Sequence, residues 1–318
     1  MPPTYAYVNL AGSVGKTSTV VATAYILARQ GLSVEVVDFD LQAGVSTVYG
    51  YPYYDGPTIV DVIRQKASIA DVVRPARILL GIDPETNEPV YEEIPNLSIV
   101  PTARRALKPL NAELASSGAM TRLRKAFVFD ADQRGDKQPD VRLIDCGGVE
   151  NTLNDVAMLS VTAEDDDDRP GAYGVITCAK PAGKELEGIP DLLEKTSELS
   201  DTYNRQVTLL SIVPTIIPVQ GGTPGAAEKE GRQYHFRVSG GYRPMLEQTE
   251  DVYDSALIGG VTPPVRRNTQ VDHAFTARTP LPLFKPALTQ DIMSDYELVV
   301  AYQQQRGLFV PRRHLRAA

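Results

Sequence analysis

The chain has 318 residues, 42% apolar and 23% charged, a globular composition that excludes wholesale disorder and fibrous repeats. Its 32 Lys and Arg against 40 Asp and Glu leave a net charge of −8, which excludes a uniformly basic nucleic-acid-coating protein but allows a local basic patch. Two cysteines make no disulfide framework, three histidines show no zinc spacing, and no apolar run approaches about 20 residues or forms a signal sequence, so the expected setting is a reducing cytoplasm.

In chain order, strand-length apolar runs at 5–10, 34–39, 97–100, 141–144, 173–178 and 207–213 alternate with helical patterns. The helices are predicted over 16–30, 59–65, 103–125 with an interruption at Pro109, 152–159, 186–199 and 289–305. Strands that are apolar on both sides and separated by helices predict a doubly wound α/β fold: a mostly parallel twisted sheet with helices on both faces. One domain over 1–318 is expected, with surface insertions near 82–95, 163–170 and 219–241, the first read as a loop or small hairpin, and a basic tail at 306–318.

The first strand runs into Ala11-Gly12-Ser13-Val14-Gly15-Lys16-Thr17-Ser18 and then directly into a helix. Small residues let consecutive backbone N–H groups turn around phosphate oxygens, and the helix N-terminus adds partial positive charge. Lys16 is expected on the β and γ phosphates and Thr17 on Mg²⁺. The strict Walker pattern is not met, because Leu10 stands where its first glycine belongs. Two further strand ends carry acids: Asp38 and Asp40 at the carboxyl end of the second, whose side chains are expected on opposite sides with different roles, and Asp145 after the apolar run 141–144, in the Walker B manner. An aspartate at a strand end is most often a cap of the following turn. Three matching strand ends in the expected order point instead to one site.

At these residues the sequence resembles the ParA/MinD family of deviant Walker ATPases, which position plasmids, chromosomes, division sites and other cargo. The segment from Asn9 to Thr17 is similar to that family's K-G-G-x-G-K-[ST] loop, Asp38-Phe39-Asp40-Leu41-Gln42-Ala43 to D-x-D-P-Q-[AG], and Asp145-Cys146-Gly147-Gly148 to D-C-P-P. Leu186-Glu187-Gly188 is similar to its L-E-G, and Val265-Arg266-Arg267-Asn268 with Ala274 and Pro280 to its I-P-R-N and following A and P. The resemblance implies ATP or ADP with Mg²⁺ as ligands, the loop residues 11–18 around the phosphates, Thr215 and Val265 to Arg267 near adenine, Asp40 orienting the attacking water, and Asp38 and Asp145 beside Thr17 at the metal. It also implies an ATP-dependent homodimer and a small ParB-like adaptor that stimulates hydrolysis. The family's signature lysine falls at Ala11 and its second loop glycine at Ser13. A methyl group cannot neutralise phosphate charge, so Lys180 or Lys184 is the expected surrogate; carboxysome-positioning relatives also lack the lysine. The chain begins at its first strand, so no operator-reading helix-turn-helix is expected before it.

Arg306, Arg312, Arg313 and Arg316 occupy an acid-free tail, with Arg266, Arg267 and Arg278 upstream. Nonspecific DNA is the expected partner of these arginines, giving a nucleoid-associated protein. The tail also has the look of a MinD-like membrane anchor, but Pro311 breaks so short a helix and the apolar face is small. The competing readings are a nucleotide-binding regulator or scaffold with little turnover, and a metabolic or metal-delivery P-loop enzyme.

Overall fold

Successive side chains of a strand point to opposite faces, so a run that is apolar at every position needs a helix layer on each side. The chain meets that requirement in the computed structural model, which describes residues 1–10, 12–148, 150–163, 169–181, 184–219 and 236–311, the side chains of 184–187 excepted. The elements begin with β1 (Thr4–Tyr7), α1 (Lys16–Arg29), β2 (Val34–Phe39) and the short helices α2 (Gly44–Val48), α3 (Ile59–Ile63) and α4 (Ile69–Val72). The hairpin of β3 (Arg74–Ile82) and β4 (Pro89–Val100) follows, then α5 (Leu107–Ser117), α6 (Arg122–Arg134), β5 (Val141–Cys146), α7 (Thr152–Ser160) and β6 (Tyr173–Ala179). The last elements are α8 (Lys184–Tyr203), β7 (Leu209–Pro214), α9 (Arg243–Tyr253), β8 (Gly260–Val261), α10 (Gln270–Thr276) and α11 (Pro286–Gln305).

The eight strands form one sheet in the order β3-β4-β2-β5-β1-β6-β7-β8, parallel throughout except for β3. Alternation divides the core in two. Tyr5, Val36 and Leu143 pack with α1, α2 and α11, whereas Ala6, Val37 and Ile144 pack with α3 to α8. The doubly wound prediction therefore matches the structure, and β2 has the bounds expected of it.

Three local expectations need correction. The run 103–125 is two helices, and the break falls at Gly118 (φ +62), not at Pro109. Pro109 is the third residue of α5, where a helix has no use for the backbone N–H. The excursion near 82–95 belongs to a long antiparallel hairpin, closed where the Asp83 N–H donates to the Glu88 carbonyl at 2.8 Å. Its edge strand β3 was missed because Arg74, Pro75 and Arg77 break the two-sided apolar pattern. The expected strand at 5–10 ends at Tyr7, which frees the following residues for a loop. The acidic run 164–168 and residues 220–235 lie outside the described residues.

One polar group interrupts the apolar layer under α6. Register pairs Glu35 with Arg142, and α6 brings Asp130 and Arg134 onto them. Arg142 donates to Glu35 Oε1 at 2.7 Å and to Asp130 Oδ2 at 2.6 Å, all three side chains being fully buried, and Arg134 bridges the same two acids from the rim. The Arg142 guanidinium carbon lies 4.3 Å from the Phe127 ring centre, so the face without a carboxylate rests on an aromatic ring. Because each charge is compensated only by the others, removing one strands the rest. We predict that Asp130→Ala lowers the unfolding free energy by about 3–5 kcal/mol. Glu113→Ala, which breaks a half-exposed pair with Arg64, should cost less than about 1 kcal/mol, with urea denaturation as the measurement.

Candidate functional site

The parallel strands β1, β2 and β5 end on one edge of the sheet, where an open α/β sheet binds ligands. After β1, the Asn9 side-chain amide donates to Thr177 Oγ1 and the Cys178 carbonyl, tying the loop to β6. From β7, the Thr215 hydroxyl donates to the Val14 carbonyl at 2.6 Å, and the Thr215 N–H to the Ala179 carbonyl. The loop turns into α1 at Gly15, whose φ of +80 glycine adopts without strain. No side chain caps α1, so its first backbone N–H groups are left for an anion. Lys16 is buried and Thr17 half-buried at this helix start.

The carboxylates come from the neighbouring strands. Register sets Asp38 of β2 beside Asp145 of β5, and both are buried. Asp38 Oδ2 accepts from the Ser46 N–H at 2.7 Å and from its hydroxyl at 2.6 Å, while Ser46 Oγ accepts from the Thr102 N–H. Burial pushes Asp38 up to about 7 against the pull of the Ser46 hydrogen bonds. Burial likewise holds Asp145 well above the usual carboxylate range, the charges of Asp38 and Asp40 adding to it and Thr17 and Lys16 opposing. The Thr17 hydroxyl donates to Asp145 Oδ2 at 2.8 Å, whereas Asp145 Oδ1 is buried with no hydrogen-bond partner.

Those facts fit Mg²⁺. An orphaned carboxylate oxygen beside a threonine hydroxyl is the donor set the ion uses when most of its shell is water and phosphate. Among the described residues no group of three or more His, Cys, Asp or Glu could hold a metal, so a cage made only of protein is not on offer.

Asp40 behaves differently from Asp38, but not for the reason the sequence suggested. Residues two apart share a face of a strand. What separates them is that β2 stops at Phe39. Asp40 thus leaves the sheet, its Oδ1 accepting the Gln42 N–H at 3.1 Å, and approaches Gly147 so closely that a Cβ there would lie 3.4 Å from that oxygen.

Ser13 to Ser18 with Asp40, Cys146, Gly148 and Phe275 line a cavity of about 200 Å³. Ser13, Gly15, Ser18 and Phe275 also line a second cavity of about 610 Å³, which Gly12, Lys180, Thr215, Val265, Arg266 and Arg267 share. The two adjoin as a phosphate site and a nucleoside site would. A larger groove of about 720 Å³, between Tyr25–Gln30 and Pro286–Glu297, touches none of the strand-end carboxylates.

Several expected residues are placed otherwise than the sequence implied. Thr215 lines the larger cavity, but its hydroxyl is spent on Val14. Arg266 donates through Nε and Nη2 to both oxygens of Asp295 and pairs with Asp291, so it is not the free cation a phosphate patch requires. Arg306 is corrected in the same way, being paired with Asp254 at 2.8 Å and set over the Tyr302 ring. Arg278 donates to the Tyr53 hydroxyl, and Arg267 is exposed at the cavity rim. Ala11, the Lys184 side chain, Arg312, Arg313 and Arg316 lie outside the described residues. Ser46, Thr102 and Phe275 were missed, because nothing in their local sequence marks a partner that only folding supplies.

Residues 4–209 match the AAA domain family, and the chain belongs to it, as a ParA/MinD-type P-loop protein. No curated protein matches. Among solved structures, McdA from Cyanothece in an ATP complex superposes with a TM-score of 0.69 at 17% identity, covering 95% of this chain and 96% of that one. A plasmid partition protein from Borrelia burgdorferi B31 bound to AMPPNP gives 0.65 at 13% identity, covering 96% and 100%. Cobyrinic acid a,c-diamide synthase from Mycobacterium smegmatis, with bound ATP analog and magnesium, gives 0.58 at 20% identity, covering 87% and 92%. At these identities the likeness shows the shared fold.

The Ser46 hydroxyl both holds Asp38 and receives the Thr102 N–H. Ser46→Ala should therefore cost about 1–3 kcal/mol in the nucleotide-free protein, read from urea unfolding. An unchanged midpoint would mean that Asp38 is held by its other contacts.

Proposed function

We propose that the chain is a ParA-type ATPase that positions cargo through a nucleotide-dependent cycle. The observation that carries this reading is the phosphate cavity in which Lys16, Thr17 and Asp40 converge, with Asp145 Oδ2 accepting from the Thr17 hydroxyl and its Oδ1 left without a partner among the described residues. The ATP, AMPPNP and ATP-analog complexes of the three structural neighbours support the choice of ligand, as does magnesium in one of them.

In this reading the backbone of residues 11–18 cradles the phosphates, and Lys16 reaches the β and γ phosphates and offsets their charge. Thr17 and Asp145 would hold Mg²⁺, with Asp38 fixed by Ser46 beside Asp145. When bound, Mg²⁺ would neutralise the charge that develops on the phosphates. Asp40 stands off the strand end, where it orients a water for in-line attack on the γ-phosphorus; the water oxygen bonds to phosphorus as the bond to the ADP oxygen breaks. The work is positioning and electrostatics. The larger cavity takes the nucleoside, Thr215 shaping its wall and Val265 to Arg267 its rim.

The cycle also includes an ATP-dependent homodimer, an adaptor that accelerates hydrolysis, and nonspecific DNA as the track. Lys180, which lines the nucleoside cavity, is the proposed replacement for the lysine that Ala11 displaces, with Lys184 as the alternative. Since Arg266 and Arg306 are ion-paired, the DNA contact falls on Arg267, Arg278 and the tail arginines Arg312, Arg313 and Arg316. No helix among the described residues is long and apolar enough to cross a membrane.

Two variants test the chemistry. Lys16→Ala should weaken ATP binding about 10- to 100-fold, the worth of a charge-assisted contact to phosphate. Asp40→Ala should bind ATP with Mg²⁺ as the parent does, release phosphate at least about 100-fold more slowly, and accumulate as an ATP-bound dimer. The measurements are nucleotide titration, steady-state phosphate release and light scattering. Identical masses for Asp40→Ala with and without ATP would remove the dimer from the cycle, and no phosphate release by the parent chain with DNA present would leave a scaffold.

A further inference from the structure

The loop that follows β4 makes two connections to the catalytic carboxylates. Its Thr102 N–H donates to Ser46 Oγ, and Ser46 holds Asp38. Its Arg105 N–H donates to the Leu41 carbonyl at 3.2 Å, one residue beyond Asp40, whose Oδ1 accepts the Gln42 N–H. A third tie comes from α5, where Asn111 Oδ1 accepts the Leu153 N–H at 3.2 Å, in the first turn of the helix that follows Asp145.

The same elements enclose a cleft of about 620 Å³ lined by Leu41, Gln42, Arg104, Arg105, Lys108 and Asn111. Among the described residues no carboxylate lines it. Arg104, Arg105 and Lys108 are exposed, and none of them is ion-paired among the described residues. Cations elsewhere around α5 are treated differently: Arg64 and Arg122 both meet Glu113, at 3.0 and 3.7 Å. In a chain of net charge −8, three uncompensated cations in one concavity are a local exception.

The dimensions choose between anionic macromolecules. Residues 104 to 108 span at most about 14 Å even fully extended, whereas duplex DNA is held through about six to ten phosphate contacts spread along its backbone. A cleft also suits a projecting side chain better than a convex duplex. Guanidinium forks take carboxylates two oxygens at a time. We propose that this cleft binds the Asp or Glu side chains of an acidic segment in a partner protein, and that occupancy is passed to Asp40 through the Leu41–Gln42 backbone. The second half rests on the reading of Asp40 as the residue that orients the attacking water; the docking itself does not.

The test uses the full chain and a fluorescein-labelled hexaglutamate peptide, followed by anisotropy at low ionic strength with ATP and Mg²⁺ present. The parent should bind the peptide in a salt-sensitive manner. The triple variant Arg104→Glu, Arg105→Glu, Lys108→Glu should bind it at least about tenfold more weakly while keeping its nucleotide affinity and far-ultraviolet circular dichroism. The double variant Arg104→Ala, Lys108→Ala, which spares the Arg105 backbone contact, should show an intermediate loss, and Arg267→Glu none. Peptide should change phosphate release by the parent and leave the triple variant unmoved. Equal binding by parent and triple variant, or no binding by the parent, overturns the docking site. So does a short duplex that displaces the peptide and itself depends on the three cations. Cleft-dependent binding with unchanged phosphate release overturns the coupling alone. If the peptide binds but the parent hydrolyses nothing under any condition, the ATPase reading fails and the docking site stands.

Discussion

Two carboxylates buried side by side set the terms for this molecule. The register of β2 against β5 places Asp38 opposite Asp145, away from water, where neither charge is comfortable. Each is answered by one local donor set, Ser46 for Asp38 and Thr17 for Asp145, and the Lys16 ammonium offsets part of what remains. One oxygen of Asp145 stays unanswered. A site built this way favours arriving positive charge, and the uncapped start of α1 beside it favours arriving negative charge. A magnesium–triphosphate pair satisfies both at once. Small residues ease the closeness: a Cβ on Gly44, at the start of α2, would lie 3.1 Å from Thr17 Cγ2, tight enough that Thr17 would have to shift by a few tenths of an ångström.

The rest of the fold keeps these strand ends from drifting. Parallel strands β1, β2 and β5 sit at the centre of the sheet, covered on both faces, and the flanking strands β6 and β7 supply Thr177 and Thr215 as pins for the loop. Below, at the other end of β2 and β5, the Glu35, Arg142, Asp130 and Arg134 group penalises any slip of register, because a shift would separate charges that have no water to turn to. The same two strands therefore carry a matched set of charges at one end and a mismatched pair at the other. The first specifies the alignment; the second is what that alignment presents.

Cation placement divides the surface. Arg266 and Arg306 serve the fold, locking the last turns of the chain to Asp295 and Asp254. Arg104, Arg105 and Lys108 serve no such purpose within it, and they stand beside the loop that carries Asp40. In an acidic chain the location of free positive charge is more telling than its amount, because only desolvation and pairing decide which arginines still act on a partner.

The alternation of strand-length apolar runs with helical periods was enough to read the doubly wound sheet, since burial on both faces leaves no polar side to a strand. The loop from Gly12 to Ser18 and the acids at 38, 40 and 145 could be located at strand ends for a related reason: backbone N–H groups and strand-end carboxylates are placed by their own positions in the chain. β3 was hidden because an exposed edge imposes no apolar pattern, and strand alternation, which sets residues two apart on one face, is not what separates Asp38 from Asp40. What only the tertiary structure decided was pairing. That Ser46 answers Asp38, that Asp295 consumes Arg266, and that Arg104, Arg105 and Lys108 meet no acid among the described residues depend on which side chains a fold carries within reach of one another. A charge announces itself in sequence, but its neutralisation is a property of distance.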